Sequence, residues 1–367
     1  MSKGKRYASE SSTYTDEVTG AVVRQITSFP SIHHHPFFMI PAYDDLCRRL
    51  YFISHRTGSP QLFAELQDTG ELLQMTDLPN LAEWSVHPSP DGKYVYYTAG
   101  AHCCRIDTET LAEETLVDLG NVNMRERGMV ASAMGTTALS RSGRWWALRY
   151  SDGGESCLLL VDTVNRTHEI ILRRDSIAHL QFCPDDENLL FYAGPLSDRV
   201  WVVHRDGSGN RRLYERNAEK KEWITHETWI PGTKELAFID WPHGVRAVNP
   251  DTLAVRTVAA FNAWHAVSNP GGDWMVADTN FPDRGIQLFR VQEGAGQPLT
   301  VCYPQATSQG AHWAGPFPYD NGPIDVYAPQ HTHPHPSFRP DGKRVVFTSD
   351  RSGHAQLYEV ELTSFIS

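Results

Sequence analysis

The sequence predicts an all-β protein, a seven-bladed β-propeller that takes up the whole chain. Three observations predict it. A short turn-and-strand unit recurs seven times. Two segments near opposite ends of the chain read as copies of one β-hairpin. Long stretches with a 3.6-residue apolar period and helix caps are absent.

The recurring unit is a Pro/Asp/Gly turn followed by an apolar strand. It reads "AYDDLCRRLYFI" near Asp44, "PSPDGKYVYY" near Asp91, "LSRSGRWWAL" near Ser142 and "FCPDDENLLFY" near Asp185. It returns as "WIPGTKELAF" near Gly232, "SNPGGDWMVA" near Gly271 and "FRPDGKRVVF" near Asp341. Pro presets φ, Asp bonds its own backbone and Gly supplies positive φ, so each turn has a mechanism. Most units are spaced by roughly 40–50 residues, the period of a four-stranded blade. The last gap is longer and holds a Pro/Gly/aromatic stretch, read as a loop insertion around residues 300–329 of a single domain spanning 1–367. The hairpin copies are "YFISHRTGSPQLF" (Tyr51 to Phe63) and "VFTSDRSGHAQLY" (Val346 to Tyr358). Each has alternating apolar residues around a Gly-containing turn. Two stacked β-sandwich domains would show a linker-like change of composition, and none divides the chain.

Composition narrows the function classes. The chain has 367 residues, 40% of them hydrophobic, and a net charge of −11. That is enough apolar material for a sizeable core. The acidic balance argues against a nucleic-acid partner but leaves room for a locally positive pocket that takes an anionic substrate. No apolar run approaches a membrane span, and the first residues lack the apolar segment of a signal peptide. Six scattered cysteines without a CxxC pair argue against a disulfide framework and a thiolate metal site. A cytoplasmic location is the expectation.

Histidines recur just before the repeat turn: His33, His34 and His35, then His87, His179, His226, His265, and His333 with His335. Equivalent places in a propeller repeat converge on the central axis. A single such histidine is commonly a structural bond between blades. The set of His265, His333 and His335 reads otherwise. His-x-His on an extended segment points both rings to one side, and Pro334 and Pro336 stiffen it. Neutral imidazole is a common metal ligand. Gln330 would add a carbonyl oxygen. Three nitrogens and an oxygen suit a divalent ion such as Mn²⁺, Zn²⁺ or Ni²⁺. Arg199, just before a strand, would fork onto a carboxylate at the axis or else pair with its neighbour Asp198.

The chain resembles the oligogalacturonate lyases, through "TGAVVRQIT", "AGPLSDRVWVV", "THETWIPG", "WHAVSNPGGDWMVAD" and "QHTHPHPSFRPDG". The resemblance implies a cytoplasmic seven-bladed propeller enzyme that cleaves uronate oligomers from pectin by β-elimination. It implies a divalent cofactor, manganese, held by His265, Gln330, His333 and His335. It makes His226 and Arg199 the catalytic residues. His33, His179 and Trp229 are expected to bind the anionic oligosaccharide. One departure stands out. Where the family usually carries Cys-His-Glu-Gly-Pro, this chain reads "FYAGP", Phe191 to Pro195. Two other readings follow from the same text. One is a lyase acting on a different uronate oligosaccharide. The other is a non-catalytic propeller, similar to TolB-type domains that bind protein partners, which leaves the Gln-x-x-His-x-His set without a role.

Overall fold

The computed structural model describes residues 2–120, 136–280, 282–292, 294, 296–307 and 330–366. They form seven antiparallel sheets arranged as the blades of a ring, without an α-helix among the described residues. The innermost strands of blades 1 to 7 are His33–His34, His87–Pro88, Ala138–Leu139, Ala178–Cys183, Trp223–Ile230, Ala263–Ser268 and Ser337–Phe338. Each is joined to the second strand of its blade by one of the seven turns read from the sequence. In four of them the Gly amide closes the turn onto a carbonyl three residues back: Gly92 to Ser89, Gly143 to Ser140, Gly272 to Asn269 and Gly342 to Arg339. Gly272 is at φ +70°, and a Cβ there would come within 2.0 Å of the Pro231 carbonyl oxygen. Glycine therefore lets the blade 6 turn pack on blade 5.

The second strands are buried on both faces because each blade has a neighbour on either side. In Arg49–Ser54, Tyr51 and Ile53 pack toward blade 2, whereas Leu50 and Phe52 pack toward blade 7. The same alternation yields seven apolar clusters, one between each pair of consecutive blades. An eighth cluster, Phe37, Phe38, Ile40 and Trp84, fills the channel between the inner strands.

The ring closes without a covalent link. Strands Ser12–Thr15 and Val22–Gln25 from the start of the chain complete blade 7 by pairing Val23 with Val360 and Gln25 with Tyr358. Arg6–Tyr7 adds a fifth strand to blade 1. Arg24 locks this seam, reaching Glu65 of blade 1 at 2.6 Å and Glu359 of blade 7 at 3.1 Å, both carboxylates being buried. The expected insertion around 300–329 begins later than the sequence suggested, since the outer strand of blade 6 runs through Leu299–Cys302. Most of the rest, 308–329, lies outside the described residues.

Candidate active site

Inner strands begin at the face of the ring where one blade connects to the next and end at the repeat turns. The histidines sit at the connection face. Three of them sit at β-bulges. The pairing of blade 4 slips between Ala178 and Gln181, around His179. That of blade 5 slips between Thr225 and Thr228, around His226. Blade 6 slips likewise between Ala263 and Ala266, around His265. His179 and His226 take φ of 49° and 51°, left-handed values that redirect a side chain out of the pleat. A non-glycine residue there costs on the order of 1–3 kcal/mol and persists where surrounding structure fixes it.

The expected extended His333-x-His335 pair is corrected. Gln330–Thr332 forms a 3₁₀ turn, and His335 is itself left-handed at φ 47°. The two rings still stack, with centroids 5.4 Å apart. Pinning does what extension was expected to do. The Pro334 carbonyl accepts from the Thr348 amide at 2.9 Å, and the His335 amide donates to Asp278 at 3.2 Å.

His265, His333 and His335 come together, with one ligand nitrogen from each within 4.8 Å of the others. Asp278, on the strand paired with that of His265, organises this group. It accepts the His265 amide and the His265 Nδ1–H, each at 2.8 Å. That fixes the tautomer, so Nε2 of His265 carries the lone pair. This nitrogen is buried and has no hydrogen-bond partner among the described residues. A carboxylate behind an imidazole whose other nitrogen faces a cluster of imidazoles is the donor arrangement of a metal site. The residues fit a divalent ion. Gln330 contributes its backbone to the adjacent turn, and its side chain lies outside the described residues.

His226 abuts this group, with its ring centroid 4.2 Å from that of His265. Its Nδ1–H donates to the Trp264 carbonyl at 2.6 Å, which leaves the Nε2 lone pair for chemistry. Burial, and then the neighbouring His265, His179 and Arg199, hold its pKa well below the ordinary value, so the ring is neutral. His179 is also held low by burial and by Arg199. Arg199 lies in the loop before Val200–His204. Its Nε donates to Glu227 Oε1 at 2.7 Å, and Nη2 points to His179 Nδ1 at 3.4 Å. The sequence alternative of an Arg199–Asp198 pair is not formed; Asp198 instead meets Arg212 at 3.4 Å.

Two expected substrate contacts are placed elsewhere. The His33 ring hydrogen-bonds the Phe29 carbonyl at 3.2 Å and meets Phe52 edge-on. Trp229 packs in the apolar cluster between blades 4 and 5 and donates to the Gln181 carbonyl. Sequence reasoning missed Asp278 and the channel phenylalanines. Phe37 lies against His179, His226, His265 and His335, and Phe38 against the last three. They floor the site with apolar rings, which strengthens every charge interaction above them. The available signal was the adjacency of "FF" to the triple histidine and the position of Asp278 at the end of a quoted motif.

A family model described as oligogalacturonate lyase matches residues 149–366. The oligogalacturonate lyase of Dickeya dadantii is 26% identical, covering 98% of this chain and 97% of its own. The oligogalacturonide lyase of Pectobacterium atrosepticum is 25% identical over the same shares. Among solved structures, an oligogalacturonate lyase from Vibrio parahaemolyticus superposes with a TM-score of 0.82 at 21% identity, covering 99% of this chain and 100% of that one. An oligogalacturonate lyase in complex with manganese gives 0.81 at 23% identity, with 98% of each chain covered. With the family model spanning more than half of the sequence, the chain belongs to the oligogalacturonate lyase family.

Proposed function

We propose that this chain cleaves short oligogalacturonates by β-elimination, with His226 as base and Arg199 as the charge-stabilising group. The observation that carries this reading is the placement of a neutral, tautomer-fixed His226 against the three-histidine group. The reaction breaks the C5–H bond beside a uronate carboxylate, forms a C4=C5 double bond and expels the O4-linked sugar, whose oxygen leaves with a proton. The C5 proton is weakly acidic because the adjacent carboxylate is already negative. A divalent ion held by His265, His333, His335 and Gln330, manganese as in the solved relative, would supply Lewis-acid stabilisation of that carboxylate.

The side chains do the rest. His226 Nε2 accepts the proton, and the Trp264 carbonyl holds the ring's other N–H and so its orientation. Glu227 anchors Arg199 through Nε and leaves the far end of the guanidinium for developing negative charge. His179, stacked at 6.5 Å on His226, lines the same wall. Phe37 and Phe38 exclude water from beneath. Six free cysteines suit a reducing compartment, which supports a cytoplasmic reaction on imported pectin fragments.

A second reading, a different uronate oligomer as substrate, is favoured by one observation. The strand that ends in Phe191–Ala193 turns Phe191 and Tyr192 into apolar clusters, so this wall offers neither the histidine nor the glutamate usual there. His333→Ala tests the main reading. The variant is expected to remain a folded propeller, lose the ion and lose turnover of trigalacturonate. Retained turnover would refute it.

A further inference from the structure

A second cluster of donors lies beside the first. His34 is on the inner strand of blade 1, His55 follows the second strand of that blade, and Glu83 opens the 3₁₀ turn Glu83–Ser85 leading into blade 2. One donor atom from each lies within 4.8 Å of the others. His55 Nε2 is 2.7 Å from Glu83 Oε2, and His34 Nε2 is 3.3 Å from the same oxygen.

The tautomer of His34 makes this arrangement informative. Its Nδ1 is 3.0 Å from the His35 carbonyl oxygen, which can only accept, so Nδ1 carries the hydrogen. A neutral ring then aims its Nε2 lone pair at a carboxylate lone pair. Something positive has to stand between them, either a second proton on the ring or a cation. The 3.3 Å separation is long for a hydrogen bond between an imidazolium and a carboxylate, which is typically about 2.7–2.9 Å. It matches two ligands of one tetrahedral ion with bonds of about 2.0–2.1 Å, whose edge is roughly 3.3 Å. The His55 contact, at 2.7 Å, is of hydrogen-bond length and would lengthen on binding.

The surroundings agree. The His34 side chain is buried, whereas His55 and Glu83 are 26% and 22% exposed, so the cluster opens to solvent on one side. His331 lies close to the same three residues. Trp84 lies tilted against His34 at 4.3 Å and meets His335 edge-on at 6.2 Å, so a single indole separates the two clusters.

We propose that His34, His55 and Glu83 form a second divalent-cation site with an open position for an oxygen ligand, water or carboxylate. Two imidazoles and one carboxylate suit zinc or a similar borderline ion. The proposal stands apart from the reaction assigned above.

Metal stoichiometry tests it. Protein stripped with chelator is dialysed against excess Zn²⁺, and bound metal is counted by mass spectrometry alongside circular dichroism. Wild type is expected to hold two equivalents. His265→Ala, Glu83→Gln and His55→Ala are each expected to hold one. Co²⁺ bound to His265→Ala should show a visible d–d absorption that Glu83→Gln added to that variant removes. One equivalent in wild type that Glu83→Gln retains, none in folded His265→Ala, or two in both Glu83→Gln and His55→Ala would each overturn the second site. Glu83→Gln holding no metal would instead count against the first site alone.

Discussion

His226 and Asp278 act on the same group of rings in different ways, and substitutions separate them. His226→Gln removes the base and leaves the metal ligands in place. Turnover is expected to fall by about 10²–10⁴-fold, the usual worth of general base catalysis, with metal content unchanged. Asp278→Asn keeps the side-chain shape but weakens the acceptor behind His265. Metal affinity is expected to drop about 10–100-fold, with turnover recovering at high metal concentration. An Asp278→Asn protein that binds metal as tightly as wild type would show that the carboxylate only braces the fold. The gathering of His226, His265, His333 and His335 was legible in the sequence because histidines recurred at one place in a repeat, whereas Arg199 was singled out by its place before a strand and by the family motif. Asp278 was not, because an aspartate at a strand end is ordinary until its partner strand is known. Nor was the fact that His33 bonds the Phe29 carbonyl while His35 reaches the Pro334 carbonyl, since alternation along a strand would put these two on one side.

The elements carry two features that residue patterns conceal. The bulges at His179, His226 and His265 break the period-two alternation, so strand parity could not place Glu227 or Trp229. The turns, by contrast, announced themselves through Pro, Asp and Gly, and all seven occupy the predicted place. The closure of blade 7 by Val22–Gln25 was also hidden, because a four-residue strand paired with residues more than 300 positions away leaves no local mark. Arg24 tests that seam. It is the common partner of buried Glu65 and Glu359; removing it leaves Glu65 without a cation, held by the Gln67 amide, while Glu359 keeps Arg344 and Tyr43. Arg24→Ala is expected to lower unfolding stability by about 3–5 kcal/mol in a denaturant titration, as for other broken buried pairs. A change within experimental error would mean that hydrogen bonding alone closes the ring.

At the scale of the whole molecule, the propeller stores neutral histidines in its interior. Burial holds His33, His35 and His87 down to about 4 each. The unfolded chain protonates such groups near 6.5, so between about pH 6.5 and 4 it binds protons that the folded state refuses. Stability is therefore full above that window and falls as pH drops through it. His87→Gln should flatten the decline by up to about 1.4 kcal/mol per pH unit, read from unfolding curves across pH. An unchanged slope would mean that the ring is not held neutral. The seven blades also bring residues from opposite ends of the sequence to one axis. At this axis we place metal-dependent β-elimination on galacturonate oligomers. The most direct measurement is the ultraviolet absorbance of the unsaturated uronate product, with di- and trigalacturonate, in the presence of Mn²⁺ or of EDTA. Absorbance is expected to rise with Mn²⁺, and EDTA to abolish the rise. A flat trace from folded protein shown to hold its metal, or a rise indifferent to EDTA, would contradict that assignment.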